Sequence, residues 1–260
     1  MNTVRLSVRE MTVRFGGVVA VARLSLDVTG GEILALIGPN GAGKSTAING
    51  LSGFVPVTVA ALSVRYGDDV VDLTRLSPPQ RSRLGIVRTF QTPRLIPELT
   101  VWQNVAMGSV AGDVRRRWFE LLGGPGLSRG ARERRDRAVT ALAALGLDRL
   151  AQDSPGELSL GEQRLVEIAR AMVSGARVLL LDEPFAGLSS VEQQRLAAEI
   201  DKLRSASVAA LLVEHNLELV RSLADTVVAM DQGAEFARGD AATVLDSHEV
   251  RERYLGEVAR

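Results

Sequence analysis

"GPNGAGKST", residues 38–46, is the stretch on which the reading of this chain turns. It fits the spacing G-x-x-x-x-G-K-[ST], with Gly38, Gly43, Lys44 and Ser45 at the defining positions. Before it stands "EILALI" (32–37), an apolar run of the length and texture of a strand buried on both faces. After it, "TAINGLSG" (46–53) becomes helical. Strand, glycine loop and helix are the setting in which such a loop holds phosphate. Glycines let the backbone turn tightly enough for several N–H groups to face one anion. The helix start adds the positive end of its dipole. Pro39, Asn40, Gly41, Ala42 and Thr46 complete the loop. Lys44 offers a compact charge on a flexible stem to terminal phosphates, and Ser45 a hydroxyl to Mg²⁺. Of 31 basic residues only Lys44 and Lys202 are lysines, so the lysine at 44 stands out in an arginine-rich chain.

Working outward, the first thirty residues alternate as strands: "VRLSVREMTVRF" (4–15), then "VARLSLDV" (21–28), with a turn at Gly30-Gly31. "ALSVRYG" (61–67) and "VVDL" (70–73) read as short strands, and "PPQRSRLG" (78–85) as a short helix opened by proline. From about 91 to 159 the texture is helical, as in an insertion. In the second half strands and helices alternate. "ARVLLLDEP" (176–184) and "SVAALLVEH" (207–215) are buried strands, each followed by a helix. "DTVVAMDQGAEFARGD" (225–240) reads as a hairpin turning at Gly233, and two short helices close the chain over 240–260. Such alternation predicts an α/β fold with a mostly parallel sheet covered by helices. In sheets of this kind ligands gather at the carboxyl ends of strands. Asp182 and Glu183 end such a strand. Asp182 is placed to hold the Mg²⁺ shell, and Glu183 to polarise an attacking water.

Composition bounds the rest. Apolar residues make up 46% of 260, enough for a packed core and against wholesale disorder. Formal net charge is zero, with no global pull toward nucleic acid or anionic lipid. The absence of cysteine excludes disulfides, thiolate chemistry and cysteine-held zinc. The start "MNTVRLSVREMTVRF" lacks the apolar core of a signal peptide, and no apolar run reaches the ~18 to 20 residues of a membrane span. Arg115, Arg116, Arg117, Arg132, Arg134, Arg135 and Arg137 give this helical stretch a basic look. Asp113, Glu120, Glu133 and Asp136 interleave with them, which reads as a solvated helix face rather than a nucleic-acid surface. Contact with lipid headgroups or a membrane partner is the alternative.

"GPNGAGKST", "TFQTPRL" (89–95), "LSLGEQ" (158–163), "LLLDEP" (179–184) and "LLVEHN" (211–216) stand in order along the chain. This set resembles the ATPase subunits of ABC transporters over essentially the whole length. The resemblance implies a P-loop NTPase core with an antiparallel N-terminal β region, one ABC ATPase domain over 1–260, a helical subdomain at 91–159 and a C-terminal helical tail at 240–260. It implies ATP and Mg²⁺ as ligands. It places Phe15 on adenine, Gln91 between Mg²⁺, water and the helical subdomain, Ser159 and Gly161 in the signature motif, and His215 at the γ-phosphate. Together with Glu183, Gln91 and His215 would be the catalytic residues, and Ser45, Gln91 and Asp182 the metal-holding ones. His248 has no counterpart. Leu160 stands where the general signature has glycine, Glu162 where it has glutamine, and Ser189 where the following loop has aspartate.

Within the family the chain is most similar to the ATPases of branched-chain amino acid importers, on "GIVRTFQTPRLIPELTVWQNV", "GEQRLVEIARAM", "LVEHNLELVRSLAD" and "RERYLGE". That resemblance implies a peripheral protein at the cytoplasmic face of the cell membrane. It implies a second ATPase subunit, related but non-identical, with a homodimer as the alternative. Two transmembrane permeases and an extracytoplasmic solute-binding protein complete the implied assembly, and no nucleic acid takes part. Import of urea, amides or another small solute is an alternative. A soluble ABC ATPase outside transport is less well supported, because no sustained heptads separate the motifs. A GTPase or kinase sharing only the phosphate loop is opposed by the signature stretch.

Overall fold

The computed structural model of the protein describes residues 3–109 and 129–258. The first half of the arginine stretch, with Asp113, Arg115, Arg116, Arg117 and Glu120, lies outside them. The chain divides into two compact units. One comprises Met1–Arg88, Arg177–Pro184 and Ile200–Arg260; the other comprises Thr89–Ala176 and Phe185–Glu199.

The first unit holds two sheets. Strands β1 (Val4–Phe15), β2 (Val18–Thr29), β4 (Ala61–Tyr66) and β5 (Asp69–Asp72) form an antiparallel sheet in the order β2-β1-β4-β5. Along β1, Val4, Leu6 and Val8 are buried while Arg5 and Arg9 are exposed, the period of two that a half-covered sheet requires. Register shifts after Val8 and again after Met11 bend the strand. Met11 and Val13 stay buried through the bend, so the apolar face is kept.

The second sheet has six strands in the order β10-β9-β3-β8-β7-β6. They are β3 (Ile33–Ile37), β6 (Ile86–Arg88), β7 (Val178–Asp182), β8 (Ala209–Val213), β9 (Thr226–Asp231) and β10 (Ala234–Asp240). All neighbours pair parallel except the β9–β10 hairpin at the edge. Every residue of β3, β7 and β8 is buried, which is why these strands, apart from Asp182 at the end of β7, are apolar instead of alternating. Successive side chains of β3 leave opposite faces. Leu34 and Leu36 join the core shared with β1, β2, β4 and the helix α1 (Lys44–Ser52). Ala35 and Ile37 join a smaller core with Val220 of α7 (Leu217–Leu223) and with Val244 and Leu245 of α8 (Ala241–Asp246). The last helix, α9 (His248–Val258), adds Val250 to that core.

Helix α1 is stopped in an orderly way. Gly53 caps it in the left-handed region, and the buried Arg81 of α2 (Pro78–Arg83) donates to the carbonyls of Gly50 (2.8 Å) and Leu51 (2.7 Å). A cation at the negative end of the helix dipole satisfies carbonyls that the helix leaves bare.

In the second unit the described residues form no strand. Helices α3 (Val101–Ala106), α4 (Arg129–Ala144) and α5 (Leu160–Val173) pack on one another, and α6 (Ser190–Asp201) begins there. Only Ala131, Ala138 and Leu142 of α4 are buried, while Arg132, Arg135 and Arg137 are exposed among Glu133 and Asp136. The unit extends beyond the 91–159 segment read from sequence. The reason is α5, whose buried Arg164 and Glu167 bind the backbone of residues 90–94 and draw the helix into the same body.

Asp27 ties the exposed face of the antiparallel sheet. Burial opposes its charge, but hydrogen bonds from Arg5, Ser7 and Arg9 outweigh that and hold its pKa at about 2, below the ordinary 3.8. A carboxyl depressed on folding stabilises above its unfolded value and loses that contribution as pH falls through about 2. The site is largely solvated, so its weight is at most about 1 kcal/mol. Asp27→Asn is expected to lower the thermal midpoint by a few degrees at pH 7, and the gap from wild type should close as pH falls from 4 toward 2. A gap that stayed constant over that range would contradict the linkage.

Candidate functional site

The loop after β3 is shaped by two close approaches. Gly38 has φ +151, and a Cβ there would stand 2.1 Å from the Met230 carbonyl oxygen of β9. Gly43 has φ +98, and its Cβ would stand 2.4 Å from the Ala20 carbonyl oxygen of β2. Any side chain at either position would push the loop off the sheets. Lys44 is buried, and its ammonium donates to the carbonyls of Gly38 (2.6 Å) and Pro39 (2.9 Å), drawing the loop round itself. Asn40, Gly41, Ala42, Gly43, Lys44, Ser45 and Thr46, with Ala20 and Glu183, line a cavity of about 200 Å³. Backbone N–H groups at a helix start, together with one ammonium, make this a receptor for phosphate.

Across the cavity, β7 delivers its two acids. The Ser45 hydroxyl donates to Asp182 Oδ1 at 3.4 Å, so these two hard oxygen donors meet across the loop although 137 residues separate them. Such a pair suits Mg²⁺, which takes one or two protein oxygens and completes its shell from phosphate and water. Among the described residues no cluster of three or more His, Cys, Asp or Glu could hold a metal by itself. Asp182 Oδ2 is held at 2.7 Å by Arg88, at the end of β6, and the same guanidinium donates to Asn49 of α1. Arg88 thus fixes the carboxylate between the loop helix and the neighbouring strand.

Glu183 turns out of the strand with φ +47, a strained conformation for a residue with a side chain, and its N–H donates to the Val213 carbonyl at 3.0 Å. That turn sends Glu183 into the lining of the cavity, while Asp182, one residue earlier, pairs with Ser45. The two acids therefore face different tasks. His215 follows β8, the strand between β3 and β7, and its ring is 57% exposed. Phe15 ends β1 at the turn into β2 and is half exposed, an aromatic face offered to solvent.

Gln91, Ser159 and Gly161 belong to the second unit. Ser159 is the N-cap of α5. Its hydroxyl accepts the Glu162 N–H (3.2 Å), and Glu162 Oε2 accepts the Ser159 N–H (2.9 Å). This reciprocal cap explains the acid at 162, since it closes the helix start without needing an amide. Ser189 and Glu192 cap α6 in the same way, at 3.0 and 3.4 Å. Glu192 also accepts the Gly161 N–H at 3.3 Å, so the caps of the two helices meet. The hydrogen bonds from Ser189 hold the Glu192 carboxyl below its usual range. Leu160 lies over Gly187, where a Cβ would come within 3.1 Å of it.

Sequence reasoning passed over the residue that sets Gln91. The Arg164 guanidinium, 3% exposed, donates to the carbonyls of both Phe90 and Gln91 and so fixes the peptide between them. Beside it Glu167 accepts the Arg94 N–H (3.0 Å) and a bond from Arg170 (3.1 Å). Burial pushes the Glu167 carboxyl up, against the pull of these donors. Ser159, Gly161 and Gln91 therefore belong to one unit, with α5 bonded to the backbone of Phe90 and Gln91. The clue in the sequence was two charges, at 164 and 167, on the helix face otherwise marked apolar.

Comparison with known proteins places this arrangement. The family described as ABC transporter matches residues 21–186. The high-affinity branched-chain amino acid transport ATP-binding protein BraF of Pseudomonas aeruginosa is 38% identical over 97% of this chain and 98% of its own. The corresponding protein LivG of Escherichia coli K12 is 38% identical over 99% of this chain and 100% of its own. Among solved structures, a nucleotide-free ATP-binding cassette from an ABC transporter superposes with a TM-score of 0.80 at 29% identity, covering 96% of this chain and 98% of its own. The ADP conformation of an ATP-binding cassette of an ABC transporter gives 0.80 at 30% identity, covering 98% and 99%. With the phosphate loop, the strand-end acids and full-length likeness in agreement, this chain belongs to the ABC transporter family, as one of its ATP-binding ATPase subunits.

Proposed function

We propose that this chain is the ATP-hydrolysing subunit of an importer for branched-chain or related hydrophobic amino acids. It works at the cytoplasmic face of the cell membrane, paired with a second, related ATPase subunit. Two transmembrane permeases carry the solute, delivered by an extracytoplasmic binding protein. The observation that carries the hydrolytic half is the strained Glu183 lining the phosphate cavity beside an Asp182 held against Ser45. The solute rests on likeness over nearly the whole chain to relatives named for branched-chain amino acid transport. No described helix is long and apolar enough to cross a membrane, so crossing falls to other chains.

The mechanism is positioning and charge stabilisation, the main resources of phosphoryl transfer. Phe15 stacks on the adenine. The loop N–H groups and Lys44 spread the charge of the phosphates. Ser45 and Asp182 would hold Mg²⁺, which would supply positive charge against the phosphate oxygens. Glu183 orients and polarises the attacking water, and His215 contacts the γ-phosphate. Ser159 and Gly161 serve the nucleotide held by the partner subunit, so each chain completes its partner's site. Binding energy that favours the closed pair over the open one is what moves the permeases.

Lys44→Ala is expected to weaken ATP binding by about 10- to 100-fold, the weight of one or two charge-assisted hydrogen bonds. Titration with a fluorescent ATP analogue measures it, and unchanged affinity would refute the loop assignment. Glu183→Gln should slow hydrolysis by roughly a hundredfold or more while ATP still binds. Near-normal turnover would remove Glu183 as the base. For the solute, the intact complex purified from native membranes should carry leucine, isoleucine or valine on its binding protein. Urea or an amide there would overturn the amino-acid assignment. A chain that remains soluble when its permeases are present would overturn the importer.

A further inference from the structure

Strand β8 runs out into Glu214-His215-Asn216, and Glu214 is buried at 1% exposure. Its Oε1 accepts the backbone N–H of His215 (2.8 Å) and of Asn216 (3.0 Å). The same oxygen stands 3.3 Å from Nδ1 of the His215 ring. Its other oxygen, Oε2, is buried with no hydrogen-bond partner among the described residues. A carboxylate placed this way is costly, because a buried charge with a bare oxygen has given up water without full replacement. Two backbone N–H groups alone could be capped by a neutral side chain. What a neutral cap would do less well is act on the ring. Among the described residues Glu214 is the one acid within 4 Å of a His215 nitrogen.

A carboxylate beside Nδ1 selects the tautomer that carries its proton there, since the carboxylate can only accept. The ring then turns its Nδ1 edge back toward the strand and leaves Nε2 on the opposite side. We propose that Glu214 is a positioning residue: by placing a carboxylate oxygen beside Nδ1 of His215 while holding the backbone N–H groups of His215 and Asn216, it makes Nε2 the nitrogen offered to the nucleotide. This role rests on the assignment of His215 to the γ-phosphate. It goes further in naming the buried acid that fixes which atom of the ring acts. Uncorrected, a ring free to swap tautomers or swing about χ1 would present the wrong nitrogen part of the time, which lowers turnover without loosening ATP.

The chain has two histidines, His215 and His248, so long-range ¹H–¹⁵N spectra of the imidazoles in the full-length protein contain two spin systems, and His248→Gln assigns them. At a pH where the rings are neutral, His215 should be protonated mainly on Nδ1. In Glu214→Ala the proton should redistribute toward Nε2. In the assembled transporter the same variant should lose at least ~10-fold in kcat with KM for ATP within about twofold, and Glu214→Gln, which keeps an acceptor at that atom, should recover part of the loss. A wild-type His215 protonated mainly on Nε2 would overturn the proposal, and that measurement needs no variant to fold. So would an Ala variant that loses kcat while its tautomer stays put, which is the mark of a merely structural residue. Full turnover in His215→Ala would sink the assignment of His215 itself, and this role with it, while the tautomer result would still report on the contact.

Discussion

Two backbone carbonyls decide where the phosphate loop lies. The Met230 oxygen presses on Gly38 and the Ala20 oxygen on Gly43, each too close for a Cβ. Met230 belongs to the six-stranded sheet and Ala20 to the four-stranded one, so the loop is wedged against both sheets of the first unit. Lys44 closes the wedge from inside by binding the loop's own carbonyls. Once the loop is fixed, the start of α1 has a fixed aim, Ser45 comes opposite Asp182, and the cavity has a floor. Nearly everything chemical in the first unit follows from that placement.

Buried charge is used sparingly, and part of it stands at strand ends. β7 stops in Asp182 and Glu183, β8 in Glu214 and His215, and β6 in Arg88. The interiors of β3, β7 and β8 are apolar because both faces are covered, and the acids at the strand ends, Asp182 and Glu214, are themselves buried and so need partners. The acids at these ends are then held by specific donors: Asp182 by Arg88 and Ser45, Glu214 by two N–H groups. In the second unit the same economy places Arg164 and Glu167 on the inner face of α5, where they bind backbone rather than solvent.

The departures from the family signature become intelligible in the same terms. Glu162 and Glu192 occupy the third helical position after a serine N-cap, and each accepts the N–H of its own serine. A helix start needs its orphan donors satisfied, and an acid does that at least as well as an amide. Ser189 in place of aspartate keeps the cap by another oxygen. Leu160 points to Gly187, a contact that depends on the neighbouring loop having no side chain there.

The sequence by itself determined the class of fold, the phosphate loop, the strand-end acids and the order of the motifs, because these rest on local rules. Buried strands read as apolar runs, glycines mark tight turns, and helix starts announce their caps. It missed β6, since three residues (Ile86–Arg88) are too few to show a period, and it ended the helical segment at 159, since nothing local says that α5 packs backward onto residues 90–94. It also passed over Arg88, Arg164 and Glu214 as functional supports. Each acts on a partner distant in sequence or on a ring orientation, and neither leaves a pattern along the chain. Only the tertiary structure decided that Ser45 faces Asp182, that Glu183 turns away from its neighbour into the cavity, and which carbonyls the buried arginines hold. Those are matters of distance between elements, set by packing density and by the need to satisfy every buried polar group, and they come into being only when the sheets and helices close on one another.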